Sequence, residues 1–326
     1  MFNDSALESN QTSKSISDNN AVHKDTEASL AMVSDGSLGT LIGKDVQSLL
    51  SELGSPRRKD LSAYGYTWYI YNYDINHYVQ VGVLNDKVVT VYAIGNEANV
   101  TPFKIGQSFD ELVVNHSIES SIPLNEADGS YQFELSSEDL STRPLVKSGN
   151  IYAQLYIDRM TGLLSSVRFL DGQTLVRHQP YEMHYRGELA QVGEPKQDDW
   201  ERIETGVKLQ ILDITNVIRY RHKQGILKWE ENAALVAYGH SKEMHEANYF
   251  SHTSARYGNL SDRLNAANVP FQLAGENIAA HYVDGPAVVE GWLNSQGHRE
   301  SLLSGEFTHL GVGVYQKYYT QNFIKN

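Results

Sequence analysis

The spacing of apolar positions changes character once along the chain. From about residue 41 to 190 the apolar residues come in short aromatic and β-branched runs, the signature of strands. Tyr66–Tyr73, His77–Leu84 and Lys87–Ile94 are three such runs, and Asn85-Asp86 between the last two predicts a two-residue hairpin turn. A second hairpin reads Ile151–Asp158, then Thr161-Gly162, then Leu163–Leu170. The two resemble each other, Tyr78-Val79-Gln80-Val81 against Tyr152-Ala153-Gln154-Leu155. Upstream of each stands a matching short amphipathic pattern: Ile42-Gly43 with Val46, Leu49 and Leu50, and Ile105-Gly106 with Phe109, Leu112 and Val113. This first half therefore reads as a duplicated helix-then-strands unit.

Residues 191–209, polar and carrying Gly193 and Pro195, read as a linker, and beyond them the period becomes helical. Ile211, Ile214, Val217 and Ile218 mark one helix. Ala233, Ala237, His240, Met244 and Ala247, spaced 4, 3, 4 and 3, mark another. Pro286 opens a third, with Val288, Val289 and Trp292 on one face. Two β-like runs, Leu310–Tyr315 and Tyr318–Ile324, close the chain. Helices followed by a terminal hairpin predict a layered α/β domain over 210–326, behind a strand-rich α+β domain over 41–190.

Residues 1–40 carry six acids against Lys14 and Lys24 and have no apolar period, so they read as a flexible polar leader. They show no basic start followed by an apolar core and do not read as a signal peptide. The longest apolar run in all 326 residues, Ala233–Tyr238, is far too short to span a bilayer. A net charge of −13 argues against a nucleic-acid partner. The absence of cysteine removes disulfide frameworks, thiolate catalysis and cysteine-ligated metals from consideration.

Candidate chemistry gathers in the C-terminal domain. His240 shares a helical stripe with Ala237 and Met244 and reads as a buried structural histidine. His245-Glu246 lacks a second histidine at the zinc-protease spacing and reads as solvated. His252 follows a helix end in a loop-prone stretch, Glu276 interrupts an apolar segment, and His298 lies at a break between two helical stretches. Histidines and a carboxylate from separate elements can hold a divalent metal such as zinc, or act as base and orienter on a bound water. Plain structural His–Glu hydrogen bonds are the simpler alternative.

Seven segments in order, Asn216-Val217-Ile218-Arg219, Leu227-Lys228-Trp229-Glu230, His240-Ser241 with Met244, Asn248 to His252, Gly275-Glu276-Asn277-Ile278, Trp292 to Arg299 and Leu310 to Val314, strongly resemble the CAP superfamily. This is the group of cysteine-rich secretory proteins, antigen 5 and pathogenesis-related 1 (SCP-like), here of the cysteine-free bacterial type. The region 41–190 resembles the CAP-associated N-terminal domain. The resemblance implies an α-β-α sandwich with a cleft lined by a His, Glu, Glu, His tetrad. By motif, the first histidine falls on His252, the first glutamate on Glu276 and the last histidine on His298. The position of the second glutamate, three residues after Trp292, is Ser295, which can hydrogen-bond but cannot neutralise a metal. Glu290 is turned about 200° away from Trp292 on a helix and is a poor substitute. His309, at the start of the Leu310 strand, is the other candidate for the final histidine.

The resemblance places the protein outside the cell or at a Gram-positive envelope and leaves two readings of its function. In one, the cleft binds an envelope ligand or protein partner without catalysis. In the other it hydrolyses a peptide bond, with His252 and His298 holding a divalent metal, or His252 acting as base oriented by Glu276, and Ser295 positioning water. Ser295 as nucleophile would need an adjacent base.

Overall fold

Asn85 and Asp86 both take up positive φ (48° and 65°), the geometry that lets a two-residue turn follow the twist of its flanking strands. The computed structural model, which describes residues 7–8, 13–15, 35–189 and 193–326, realises that turn between two adjacent antiparallel strands. The chain divides into two compact units, Gln11–Glu194 and Pro195–Asn326, the latter taking in Met1–Asn10.

Two short strands come first, β1 (Leu7–Glu8) and β2 (Ser13–Ser15). The N-terminal unit continues with α1 (Val46–Leu53), β3 (Arg58–Leu61), β4 (Thr67–Tyr71), β5 (Val79–Leu84), β6 (Lys87–Ala93) and α2 (Phe109–Asn115). Then follow β7 (Ser121–Glu126), β8 (Gly129–Glu134), α3 (Ser137–Thr142), β9 (Leu145–Ser148), β10 (Ile151–Asp158), β11 (Leu163–Asp171), α4 (Gly172–His178) and β12 (Glu182–Gly187). A seven-stranded antiparallel sheet runs β3-β4-β5-β6-β11-β10-β9, and a smaller sheet runs β2-β12-β8-β7.

The duplication is visible in the hydrogen bonds. Gly43 N–H donates to Val88 O, and Gly106 N–H donates to Leu164 O, each at 2.8 Å. Both glycines hold nearly the same positive φ (83° and 85°), a conformation that suits glycine. Each is followed by a capped helix: Asp45 accepts from Ser48 N–H, and Ser108 from Glu111 N–H. Each hairpin carries a bulge two residues past its repeated glutamine, at Gly82 and at Tyr156. The two halves join where β6 pairs with β11, Tyr92 opposite Arg168. Leu49 of α1 and Leu112 of α2 bury into one cluster with Val81, Val91, Leu155 and Val167.

The sequence expectation is corrected in three places. The small sheet of β7, β8 and β12 has no counterpart in it. Within the segment read as a flexible leader, β1 and β2 are paired strands, and Leu38 is buried; the remainder up to residue 34 lies outside the described residues. Residues 197–209, read as linker, form the first half of α5 (Gln197–Arg221). Ile203, Val207 and Ile211 bury on one side of that helix, behind an acidic first turn that disguises it.

The C-terminal unit goes on from α5 to β13 (Lys228–Trp229), α6 (Glu231–Glu246), α7 (Leu260–Ala266) and β14 (Leu273–Ala280). It ends with α8 (Gly285–Leu293), α9 (Gln296–Leu303), β15 (His309–Tyr315) and β16 (Tyr318–Lys325). Its sheet runs β1-β14-β16-β15-β13. Neighbouring residues of β16 point to opposite faces: Thr320 meets Ser241 of α6 at 2.8 Å, whereas Gln321 donates to Thr215 of α5 at 2.9 Å. Helices therefore cover both faces, giving the α-β-α sandwich. The apolar stripe of α6 is buried as its spacing predicts, except that Ala247 is the exposed C-cap residue.

Candidate functional site

Three local structures bring the site residues together. After α6 ends, Asn248 turns the chain at φ 50° and the following loop carries His252. His240 Nε2 bonds to Ser251 O at 3.0 Å, pinning that loop to α6. Glu276 lies on β14, which pairs along its length with β16 and meets β1 at Ala279 and Ala280. Ser295 is the N-cap residue of α9 and His298 lies in its first turn. Asn277 Nδ2 donates to His298 O and to Gln321 Oε1, both at 3.1 Å, fastening α9 to the sheet.

His252 Nδ1 lies 2.9 Å from Glu276 Oε1. The other oxygen of Glu276 accepts a close charge-assisted bond from Arg263 Nη2. Arg263 belongs to α7, which begins three residues earlier behind an Asn259–Asp262 capping box. Its Nη1 also donates to His252 O (2.9 Å) and Gly258 O (3.0 Å). Burial pushes the Glu276 pKa up, but the His252 hydrogen bond and the Arg263 charge outweigh it and hold the carboxyl below its ordinary value. An ionised carboxylate only accepts, so His252 Nδ1 is the donor.

His298 stacks on His252 with ring centroids 6.2 Å apart, and its Nδ1 lies 2.7 Å from Ser295 Oγ. Burial, helped by the charge of His252, lowers the His298 pKa from 6.5 to about 4, so its ring is neutral at pH 7. An unfolded chain takes up that proton near pH 6.5 while the folded one resists until about pH 4. Folding stability should therefore fall as pH drops through this window, by about 3 kcal/mol at its acid end. Urea unfolding at pH 7, 5.5 and 4.5 checks this. His298→Asn should flatten the slope, and an unchanged slope would contradict a neutral buried ring.

His252, Glu276, Ser295 and His298 thus converge. His309 does not join them: it opens β15 and bonds Thr308 Oγ1 at 2.9 Å. Glu290 is buried on α8. His245 is half-buried, with its ring against Tyr315 and Tyr318. Sequence reasoning missed Arg263, for which a charged residue in a polar stretch gives no signal, and Asn277, whose place beside Glu276 was the available hint.

A catalytic zinc needs three protein ligands. With both oxygens of Glu276 taken and serine in place of the second acid, the donors left are two imidazoles. Among the described residues no group of three or more His, Asp or Glu could hold a metal ion. This donor set does not fit the zinc site considered from the sequence. Among the described residues, too, no helix is long and apolar enough to cross a membrane.

Residues 42–181 match the CAP-associated N-terminal family and residues 212–325 the cysteine-rich secretory protein family. The chain is 52% identical to the uncharacterized membrane protein YlbC of Bacillus subtilis over 286 residues, 88% of this chain and 83% of that protein. It is 37% identical to YkwD of the same organism over 119 residues, 35% of this chain and 46% of that one. Among solved structures, an extracellular SCP-domain protein from Bacillus anthracis superposes with a TM-score of 0.86 at 44% identity, covering 95% of this chain and 100% of that one. A cysteine-rich secretory protein from Staphylococcus aureus gives 0.81 at 28% identity, covering 91% and 95%. With its sandwich, its converging histidines and these relatives, the chain belongs to the CAP (cysteine-rich secretory protein) family, in a cysteine-free form that carries the CAP-associated N-terminal region.

Proposed function

We propose that the protein works outside the cell or at the cell envelope and binds a ligand or partner protein in the cleft between His252 and His298. The observation that carries this reading is the state of Glu276. Both of its oxygens are engaged, by His252 and by Arg263, and its side chain is almost fully enclosed, so it orients the first histidine and offers no free oxygen of its own to the cleft. What faces a ligand is a pair of imidazoles with Ser295 behind the second, a set suited to hydrogen-bonding a polar group. The extracellular description of the Bacillus anthracis relative supports the location. The test is retention of envelope material by the immobilised intact chain. His252→Phe and His298→Leu should each reduce retention about 10-fold, the loss of one good buried hydrogen bond, and EDTA should change nothing. Retention unaffected by both variants would overturn the reading.

One observation favours peptide hydrolysis as a second reading. The Glu276–His252 pair resembles the orienter and base of a general-base site, the carboxylate fixing the imidazole through its Nδ1. Casein and peptide libraries incubated with the intact chain should then be cleaved, and His252→Gln should abolish the cleavage. Equal cleavage by parent and variant would mark a contaminant.

A further inference from the structure

A cavity of about 460 Å³ opens in the N-terminal unit, between the end of α1, the strands β4 and β5, and the segments around Gly36 and Ala98. Its floor is apolar, with Leu38, Tyr71 and Val79 buried there. Its mouth is acidic: the described lining holds Glu52, Asp74 and Glu97 and neither lysine nor arginine. Comparing the two halves of the duplication shows that this mouth is an addition to the fold. In the second half the equivalent strands β9 and β10 pair up to the two-residue turn Gly149-Asn150. In the first half the pairing of β4 with β5 stops at Tyr71 and Val79, and residues 72–78 leave the sheet through one helical turn, Ile75–His77. Glu97 N–H donates to Asn76 O at 2.9 Å, fastening that excursion to the segment after β6. Leu38 N–H donates to Asn99 O, and Asn99 Nδ2 to Gly36 O, each at 2.9 Å, which holds the opposite wall. The second half completes its sheet without such an excursion. What the first half gains from it is Tyr73, Asp74 and His77, set beside an apolar cavity.

Charge and shape define what the cavity takes. Asp74 and Glu97 are exposed carboxylates with His77 between them, its Nδ1 2.8 Å from Asp74 and its Nε2 3.4 Å from Glu97. Even a protonated imidazole offsets only one of the two. Lys44, from outside the lining, pairs with Glu52 at 3.0 Å. Tyr73 stands at the rim, 64% exposed, and its ring already holds one cation, the Arg57 guanidinium 5.5 Å from its centroid. A negative mouth over an apolar floor, with an open aromatic ring at its edge, fits a long side chain whose stem is aliphatic and whose tip is positive. We propose that this cavity docks a basic segment of a partner polypeptide, one lysine or arginine laying its stem on Leu38, Tyr71 and Val79 and its charge against Asp74 and Glu97.

Calorimetry and NMR titration of the intact chain test this with the end-blocked peptide Gly-Leu-Lys-Leu-Gly and its arginine, norleucine and glutamate versions. The lysine or the arginine peptide should bind in the millimolar range or tighter, and added salt should weaken it. The His77 ring resonances should shift on titration and those of His309 should not. The norleucine peptide, which keeps the stem and lacks the charge, and the glutamate peptide should not bind. Glu97→Gln and Tyr73→Ala, both at exposed positions, should each weaken binding about 5-fold with the melting temperature unchanged. Failure of both cationic peptides at millimolar concentration would overturn the proposal. So would equal binding of the norleucine peptide, or binding indifferent to both substitutions. Cadaverine bound as tightly as the peptides would overturn the polypeptide partner in favour of a small free amine.

Discussion

Arg263→Ala is expected to destabilise the C-terminal unit by about 3–5 kcal/mol at pH 7, because it removes the partner of a buried charge and leaves that charge in place. Arg263 and Glu276 are each almost fully enclosed, with side-chain exposures of 5% and 4%. The guanidinium also satisfies the carbonyls of His252 and Gly258, so its loss strips three acceptors at once. The sign of the pH dependence separates this from a simple packing defect. In the parent, burial raises the Glu276 pKa and is outweighed by the His252 bond and the Arg263 charge. A carboxyl held low in the folded state contributes stability above its unfolded pKa, and that stability is lost as pH falls through the folded value. Without Arg263 the effect of burial gains weight and protonation relieves the site, so the deficit relative to parent should shrink as pH is lowered from 7 to 5. Urea unfolding at both values measures it. Glu276→Gln combined with Arg263→Ala should cost less than the two single changes added together, since the second substitution removes the charge the first one stranded. An additive pair would mean that Arg263 acts through packing alone.

The parts of this molecule governed by local rules were open to inspection in the chain, and the parts made by tertiary closure were not. Asn85-Asp86 predicts a hairpin because both residues tolerate positive φ, and the strands follow. The paired Ile42-Gly43 and Ile105-Gly106 predict a repeat because the same bend precedes the same capped helix in each half. In the site, His252, Glu276 and His298 stand out as polar residues at breaks in apolar pattern. Arg263 does not, because nothing in Leu260-Ser261-Asp262-Arg263 shows that its side chain turns inward to meet a strand ten residues later. The α5 start was hidden for the opposite reason: Asp198, Asp199 and Glu201 give a polar look to a helix whose buried stripe begins at Ile203. Without cysteine, no disulfide braces the cleft. The structure adds a buried seam of amides and hydroxyls, Asn277, Gln321, Thr215, Ser241 and Thr320, that ties both helical layers to the sheet.

That seam can form only because α6 lies unusually close to β15. Leu310-Gly311-Val312-Gly313-Val314 alternates so that both glycines face α6. A Cβ on Gly313 would overlap the backbone of Ala237 and Tyr238, and one on Gly311 that of Ala233 and Ala234. Helix backbone cannot step aside as a flexible side chain can. Gly313→Ala should therefore cost about 3 kcal/mol or more, at the severe end of overpacking, although alanine is the better strand residue. Gly239→Ala supplies the contrast within the contacting helix. Its Cβ would meet nothing within 4 Å, and the interior of a helix favours alanine, so stability should rise by about 0.5–1 kcal/mol. Urea unfolding of the two variants gives opposite signs if closeness of α6 is what the glycines secure; a mild Gly313→Ala would refute it. The effect should reach the cleft as well. Ser241 donates to Gly313 O at 3.1 Å, and its neighbour His240 holds the His252 loop through Ser251, so pushing α6 away from β15 carries His252 with it. The His252 ring signals should thus shift in Gly313→Ala and stay in place in Gly239→Ala, linking a glycine on the central sheet to the geometry of the candidate site.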